Sequence, residues 1–171
     1  MLRHARCPVL LGRRTLQAGD VDHGDGPRVV AGIDGSSGDA DVLMTAAIEA
    51  DRRHAVLEIV YAWTPAWFSD DGGVAVSEAT ARDAQAVMDR GVATVRERSS
   101  SVVVRPVLME RLPIEAILEA ALGAEMVVIG EHHHGVIERS IFGSTTEAVL
   151  RRASVPVVVV PIRDDATPIE T

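Results

Sequence analysis

The 171 residues carry 47% hydrophobic and 25% charged side chains, a composition that fits one domain with one core and leaves little for a second. A formal charge of −8, from 25 acidic against 17 basic residues, disfavours nucleic acid and anionic lipid, and no run of Arg is dense enough to reverse that locally. Every basic residue is Arg, which excludes a Walker A loop and Schiff-base chemistry, and Cys7 as the sole cysteine excludes an internal disulfide, a cysteine-rich zinc site and a C-x-x-C redox pair.

In chain order, residues 1–14 come first, and "MLRHARCPVL" matches "VLRRASVPVV" at residues 149–158 in Leu, Arg, Ala, Pro and Val at equivalent spacing. They read as an extra strand copied from the end of such a domain, expected to dock on the last strand and either cap that edge or join two chains. Residues 15–27 are rich in Gly and Asp and read as a linker. Residues 28–162 alternate short β-branched apolar runs with helix-length segments, the pattern of repeated βαβ units. The strands are expected at residues 29–34, 55–63, 102–109, 125–130 and 155–161, giving an α/β fold with a five-stranded parallel sheet and helices on both faces. Ser77 can cap the second helix, Pro113 suits a first helical position, and Gly123 can end the helix before the fourth strand. Residues 163–171 form a tail. The longest apolar runs, at 126–129 and 157–160, are too short to cross a bilayer and no secretory leader opens the chain, so a cytoplasmic protein is expected.

Two loops carry ligand chemistry. After the first strand, "GIDGSSGD" places Asp34 at a strand end ahead of a flexible Gly-Ser turn, suited to meeting a sugar hydroxyl or to capping the next helix. After the fourth, "VVIGEHHHGVIERSIFGST" runs from Gly130 to Gly143 and then to Ser144, Thr145 and Thr146 at a helix start, where free N–H groups attract anions. Ser144 and Glu147 also fit a capping box that needs no ligand. His132, His133 and His134 are consecutive and so point in different directions, which suits a solvated loop better than a metal site. The connection at residues 64–77, with Trp67 and Phe68, reads either as a surface loop or as a lid or partner contact, and Trp63 and Trp67 read as packing residues. Arg139 reads as a solvated loop charge. No nucleophile stands with a matched base, so an enzyme is not expected, beyond at most slow hydrolysis of a bound ligand.

Together these residues resemble the universal stress protein family over nearly all of residues 28–162. The resemblance implies strand order 3-2-1-4-5 in a three-layer sandwich of the adenine nucleotide alpha hydrolase type. Its ATP-binding members carry Gly, two residues, Gly, nine residues, then Gly-Ser or Gly-Thr; here Gly130 and Gly143-Ser144 keep the spacing and His133 takes the place of the middle glycine. By resemblance the nucleotide would meet Ile33, Asp34 and Gly35 after the first strand, Ala62 against adenine, and Gly130, His133, Gly143, Ser144, Thr145 and Thr146 around the phosphates. A residue bearing a Cβ at position 133 costs ~1–2 kcal/mol where left-handed geometry is needed, although Gly135 could supply the turn and a protonated imidazole could pair with phosphate. The implied protein binds ATP, or ADP or AMP, with Mg²⁺ and acts as a homodimeric stress-response regulator, pairing through the edge strand of residues 155–161 (Val155 to Pro161). The alternative is a family member that has lost nucleotide binding and works only through dimerisation and partner binding.

Overall fold

β-branched apolar runs bounded by turn residues form the strands here, and amphipathic segments form the helices. The computed structural model describes residues 7–12, 26–64, 77–132 and 144–162. In chain order the elements are β1 (Val9–Leu11), β2 (Arg28–Ile33), α1 (Asp39–Arg53), β3 (Val56–Trp63), α2 (Ser77–Arg98), β4 (Val104–Glu110), α3 (Pro113–Ala120), β5 (Met126–His132), α4 (Ser144–Arg152) and β6 (Val157–Ile162). They form one sheet in the order β1-β6-β5-β2-β3-β4. The five strands from β2 onward are parallel, and β1 lies antiparallel on β6.

The expected five-stranded parallel sheet is therefore a six-stranded mixed one. The reason is physical: β6 would otherwise end the sheet with a row of unpaired N–H and C=O groups, and Val9, Leu10 and Leu11 pair with three of its residues. The edge expected to join two subunits is covered by the chain's own β1. Residues 64–77 and 163–171 lie largely outside the described residues, and so do Trp67 and Phe68.

β2 shows why its sequence runs apolar without alternation. Val29, Ala31 and Ile33 point into a core shared with α1 and α2, while Val30 points into a second core beneath α3 and α4. β5 divides in the same way, with Met126 and Val128 on the first side and Val127 and Ile129 on the second. Both strands are buried on both faces and sit side by side, Val29 opposite Met126 through Gly32 opposite Ile129. The helix ends follow local chemistry: Pro113 occupies the first turn of α3, and Gly123 takes a left-handed φ of 70° just beyond it.

At the amino-terminal end of β2 the interior holds charge. Arg28 is 8% exposed and donates from Nη1 to both carboxylate oxygens of Glu58, at 3.2 and 3.1 Å, and from Nη2 to the Leu122 carbonyl at 2.7 Å. Arg105 approaches the same carboxylate at 3.7 Å from the more exposed β4. The planar fork of Arg28 satisfies three acceptors on two elements, which makes burial of the pair tolerable. Removing Glu58 would leave the guanidinium buried without its countercharge. We expect Glu58→Ala to cost ~3 kcal/mol and Arg105→Ala less than ~1 kcal/mol; urea denaturation of the two variants measures the difference.

Candidate functional site

The connection from β2 departs to the α1 layer and that from β5 to the α4 layer, so the chain leaves these neighbouring strands in opposite directions. A crevice opens at their carboxyl ends, as it does at the switch point of open parallel sheets. It holds a cavity of about 280 Å³ lined by Asp34, Ser36, Asp39, Glu131, Ser144 and Thr145, with Ile33, Gly130, Thr146 and Ile162 at its floor and walls.

The turn after β2 is built from carboxylates. Gly35 adopts a left-handed φ of 86°, which carries the chain sharply from strand towards helix. Asp39, the first residue of α1, reaches back to accept hydrogen bonds from the Asp34 N–H at 3.1 Å and the Gly35 N–H at 2.9 Å. Asp34 in turn accepts from the Ser36 N–H at 3.0 Å, and the Ser36 hydroxyl accepts from the Gly38 N–H at 3.3 Å. Burial raises the Asp39 pKa to about 6 and the Asp34 charge adds to this, while the two backbone hydrogen bonds oppose the shift. Tyr61 on β3 feels the same field: burial first, then the charges of Asp39 and Asp34, raise its hydroxyl pKa, with Arg90 acting in the other direction.

On the other side Ser144 and Thr145 begin α4, whose first N–H groups have no partner within the helix. Thr146 is 5% exposed and its hydroxyl donates to the Gly130 carbonyl at 3.3 Å, so that side chain ties α4 to β5. Gly130 packs tightly: a Cβ there would lie 3.1 Å from Val42 and 3.2 Å from Ile162, so either side chain would have to give way by a few tenths of an ångström. At Gly38 a Cβ would come within 2.5 Å of Ile162, closer than side chains pack. The last residue of β6 thus packs against both Gly38 and Gly130.

Of the residues expected from sequence, the structure places Ile33, Asp34, Gly130, Ser144, Thr145 and Thr146 around this one cavity. Gly35 shapes the turn without lining the cavity, and Ala62 packs against the α3-side core instead. His133 and Gly143 lie outside the described residues, as do His134, Gly135 and Arg139. Asp39, Glu131 and Ser36 also line the site; they lie in the two loops read as carrying ligand chemistry, but none of the three was expected at the nucleotide. Asp39 carries a readable signal, an acidic residue at the start of a helix. Glu131 carries the signal of a charged residue inside an apolar strand, 5% exposed in the fold. Among the described residues no group of three or more His, Cys, Asp or Glu side chains could hold a metal ion.

The universal stress protein family model matches residues 27–161, most of the chain and both sides of the crevice. The chain belongs to the universal stress protein family. Universal stress protein Rv2623 of Mycobacterium tuberculosis is 30% identical over 159 residues, covering 93% of this chain and 52% of its own length. Universal stress protein Rv2005c of the same organism is 31% identical over 160 residues, covering 93% and 53%. The chain thus spans about half the length of these universal stress protein relatives. Among solved universal stress proteins, one from Archaeoglobus fulgidus matches with a TM-score of 0.63 at 25% identity, covering 78% of this chain and 97% of that one. A universal stress protein in complex with cAMP matches with a TM-score of 0.60 at 26% identity, covering 78% and 96%. The Archaeoglobus fulgidus protein in complex with dAMP matches with 0.59 at 25%, also covering 78% and 96%. No helix among the described residues is long and apolar enough to cross a membrane.

The raised pKa of Asp39 fixes a pH dependence. A carboxyl whose folded pKa, about 6, lies above its ordinary 3.8 holds its proton more tightly in the folded chain, so stability falls as pH rises from about 4 to about 6 and is level above. We expect Asp39→Asn to reduce this slope, worth ~1 kcal/mol after allowance for solvent screening; melting temperatures at closely spaced pH values from 4 to 8 test it.

Proposed function

We propose that the crevice binds an adenine nucleotide, with ATP, ADP or AMP as candidates, and that the protein acts as a nucleotide-responsive stress-response regulator. The observation that carries this is the meeting in one cavity of a strand-end carboxylate, Asp34, with the amino terminus of α4 at Ser144 and Thr145. The first can meet a ribose hydroxyl, and the second offers N–H groups and a favourable dipole to phosphate. The relatives solved with cAMP and dAMP support the same ligand class. The proposed role is binding, with at most slow hydrolysis, in a cytoplasmic protein.

The lining also says what such a ligand would need. Asp34, Asp39 and Glu131 are acidic, and no Arg is among the described lining residues. Mg²⁺ brought in with the nucleotide would offset the phosphate charge. A saturating nucleotide at a hundredfold excess over Kd should raise stability by ~2.7 kcal/mol. The expected result is a saturable thermal shift with ATP and Mg²⁺ that weakens when Mg²⁺ is withheld. Ser144→Ala should lower affinity ~3- to 10-fold through one lost hydrogen bond; a titration matching wild type would remove Ser144 from the site.

The acidic lining equally favours the competing reading, a family member that acts through its surfaces alone. His133 in place of the motif's middle glycine points the same way. The two readings part on His133→Gly. A gain in ATP affinity of about tenfold or more, equal to ~1.4 kcal/mol, would show that the natural loop impairs binding, and an unchanged affinity would show that the loop accommodates histidine.

A further inference from the structure

The turn after β2 brings two carboxyl groups together on one wall of the crevice. Asp34 and Asp39 both line the cavity, and their side chains lie within hydrogen-bonding reach of each other. Both are tethered in place. The two Asp39 oxygens are committed to different backbone N–H groups, Oδ1 to that of Asp34 at 3.1 Å and Oδ2 to that of Gly35 at 2.9 Å, while Asp34 Oδ1 accepts from the Ser36 N–H at 3.0 Å. A Cβ at Gly35 would stand 3.2 Å from Val87, so α2 packs close behind the turn. Two carboxyl groups fixed this closely, one of them half-buried, ionise one after the other, because the second charge must be made beside the first.

The surrounding charges leave that repulsion standing. Glu131 of β5 lines the same cavity, and from α3, α4 and β6 the described lining is uncharged. Tyr61 of β3 feels both carboxylates together with Asp83 and Arg90 of α2, and Arg90 stands outside the lining. Asp41, two residues further along α1, is exposed. Burial first, and the Asp34 charge after it, hold the Asp39 proton up to about pH 6.

A phosphate seated at Ser144 and Thr145 would bring a further negative charge into a cavity already lined by Asp34, Asp39 and Glu131. One more like charge at this range holds the shared proton about tenfold more tightly. By reciprocity the proton strengthens binding of that charge by the same factor. The site keeps its acceptor throughout, since with Asp39 neutral Asp34 retains its charge for a ribose hydroxyl.

We propose, on the reading of the crevice as a nucleotide site, that the Asp34 and Asp39 pair takes up one proton from solvent as an anionic adenine ligand binds, so that the ligand is held more tightly in mildly acid solution than at neutral pH. Below about pH 6 the proton is already present before binding. From there to about pH 7 it is taken up on binding, and above that it is absent from both states. Affinity is therefore highest in mild acid, falls across that interval and then levels, and an uncharged ligand escapes the dependence.

Calorimetric titration of the full chain with cAMP and with adenosine tests this. The phosphodiester of cAMP carries one negative charge and, unlike a phosphomonoester, does not titrate near pH 6; adenosine is uncharged. The expected result is a cAMP affinity about 5- to 10-fold weaker at pH 8 than at pH 5.5, with adenosine level over the same range. At pH 6.5 cAMP should carry in about half a proton, counted from the heats in two buffers of unlike ionisation enthalpy. Asp39→Asn, which keeps an acceptor oxygen and removes the charge, should bind cAMP at pH 8 about as the unaltered chain does at pH 5.5. The proton count needs no variant, and Asp39→Ser supplies a second neutral side chain with an acceptor oxygen. Binding of cAMP that is level with pH and takes up no proton overturns the proton link. A slope that persists in the neutral variants also overturns it, and would place the titration on His132, His133 or His134. If neither probe binds at any pH, the nucleotide reading of the crevice falls, and the proton link falls with it.

Discussion

Two parallel strands, β2 and β5, lie side by side and are buried on both faces, and the rest of the architecture answers to that arrangement. A strand buried on both sides needs a helix layer on each, which α1 and α2 provide on one face and α3 and α4 on the other. The helix that follows β2 lies in one layer and the helix that follows β5 in the other, so the topology parts at the carboxyl ends of these two strands. The crevice follows from the topology, before any residue is chosen to line it.

What lines it is held mainly by packing. Ile162, at the end of β6, occupies the space that a Cβ would take at Gly38 and crowds the one at Gly130, so the turn before α1 and the end of β5 both pack on a single aliphatic side chain. The Asp39 carboxylate then fixes the backbone of Asp34 and Gly35, and the Thr146 hydroxyl fixes α4 against Gly130. The acceptors in the turn are pre-set in this way, and the first residues of α4, Ser144 and Thr145, line the same cavity.

Much of the fold was legible in the sequence because two-faced burial leaves a plain trace. Runs such as Arg28–Ile33 and Val157–Ile162 are continuous in Val and Ile, and all five parallel strands lie within two residues of where that pattern puts them. The sixth strand was legible as a copy of the last one, expected to dock on its edge, but was left out of the sheet count because three residues carry no periodicity of their own; Val9–Leu11 become a strand where β6 offers an unpaired edge. At the site, residues at strand ends and helix starts are legible by position, whereas Asp39 and Glu131 are not. The reach of Asp39 back over Gly35 depends on one left-handed residue, and the burial of Glu131 depends on which strand lies beside it. Gly130 stands where the motif places it, yet the structure accounts for it by contact with Val42 and Ile162.

Arg28 and Asp34 mark the two ends of one strand. The buried ion pair that secures β2 to β3 and to the end of the α3 segment sits at the amino-terminal end, and the cavity lies beyond the carboxyl end. Six residues of strand separate them, about 20 Å, far enough for substitutions at the two ends to act independently. The loops around the crevice can therefore drift in sequence, exchanging one ligand preference for another, without drawing on the interactions that keep the sheet assembled. A scaffold divided in this way lends itself to diversification by duplication, with stability inherited at one end and recognition revised at the other.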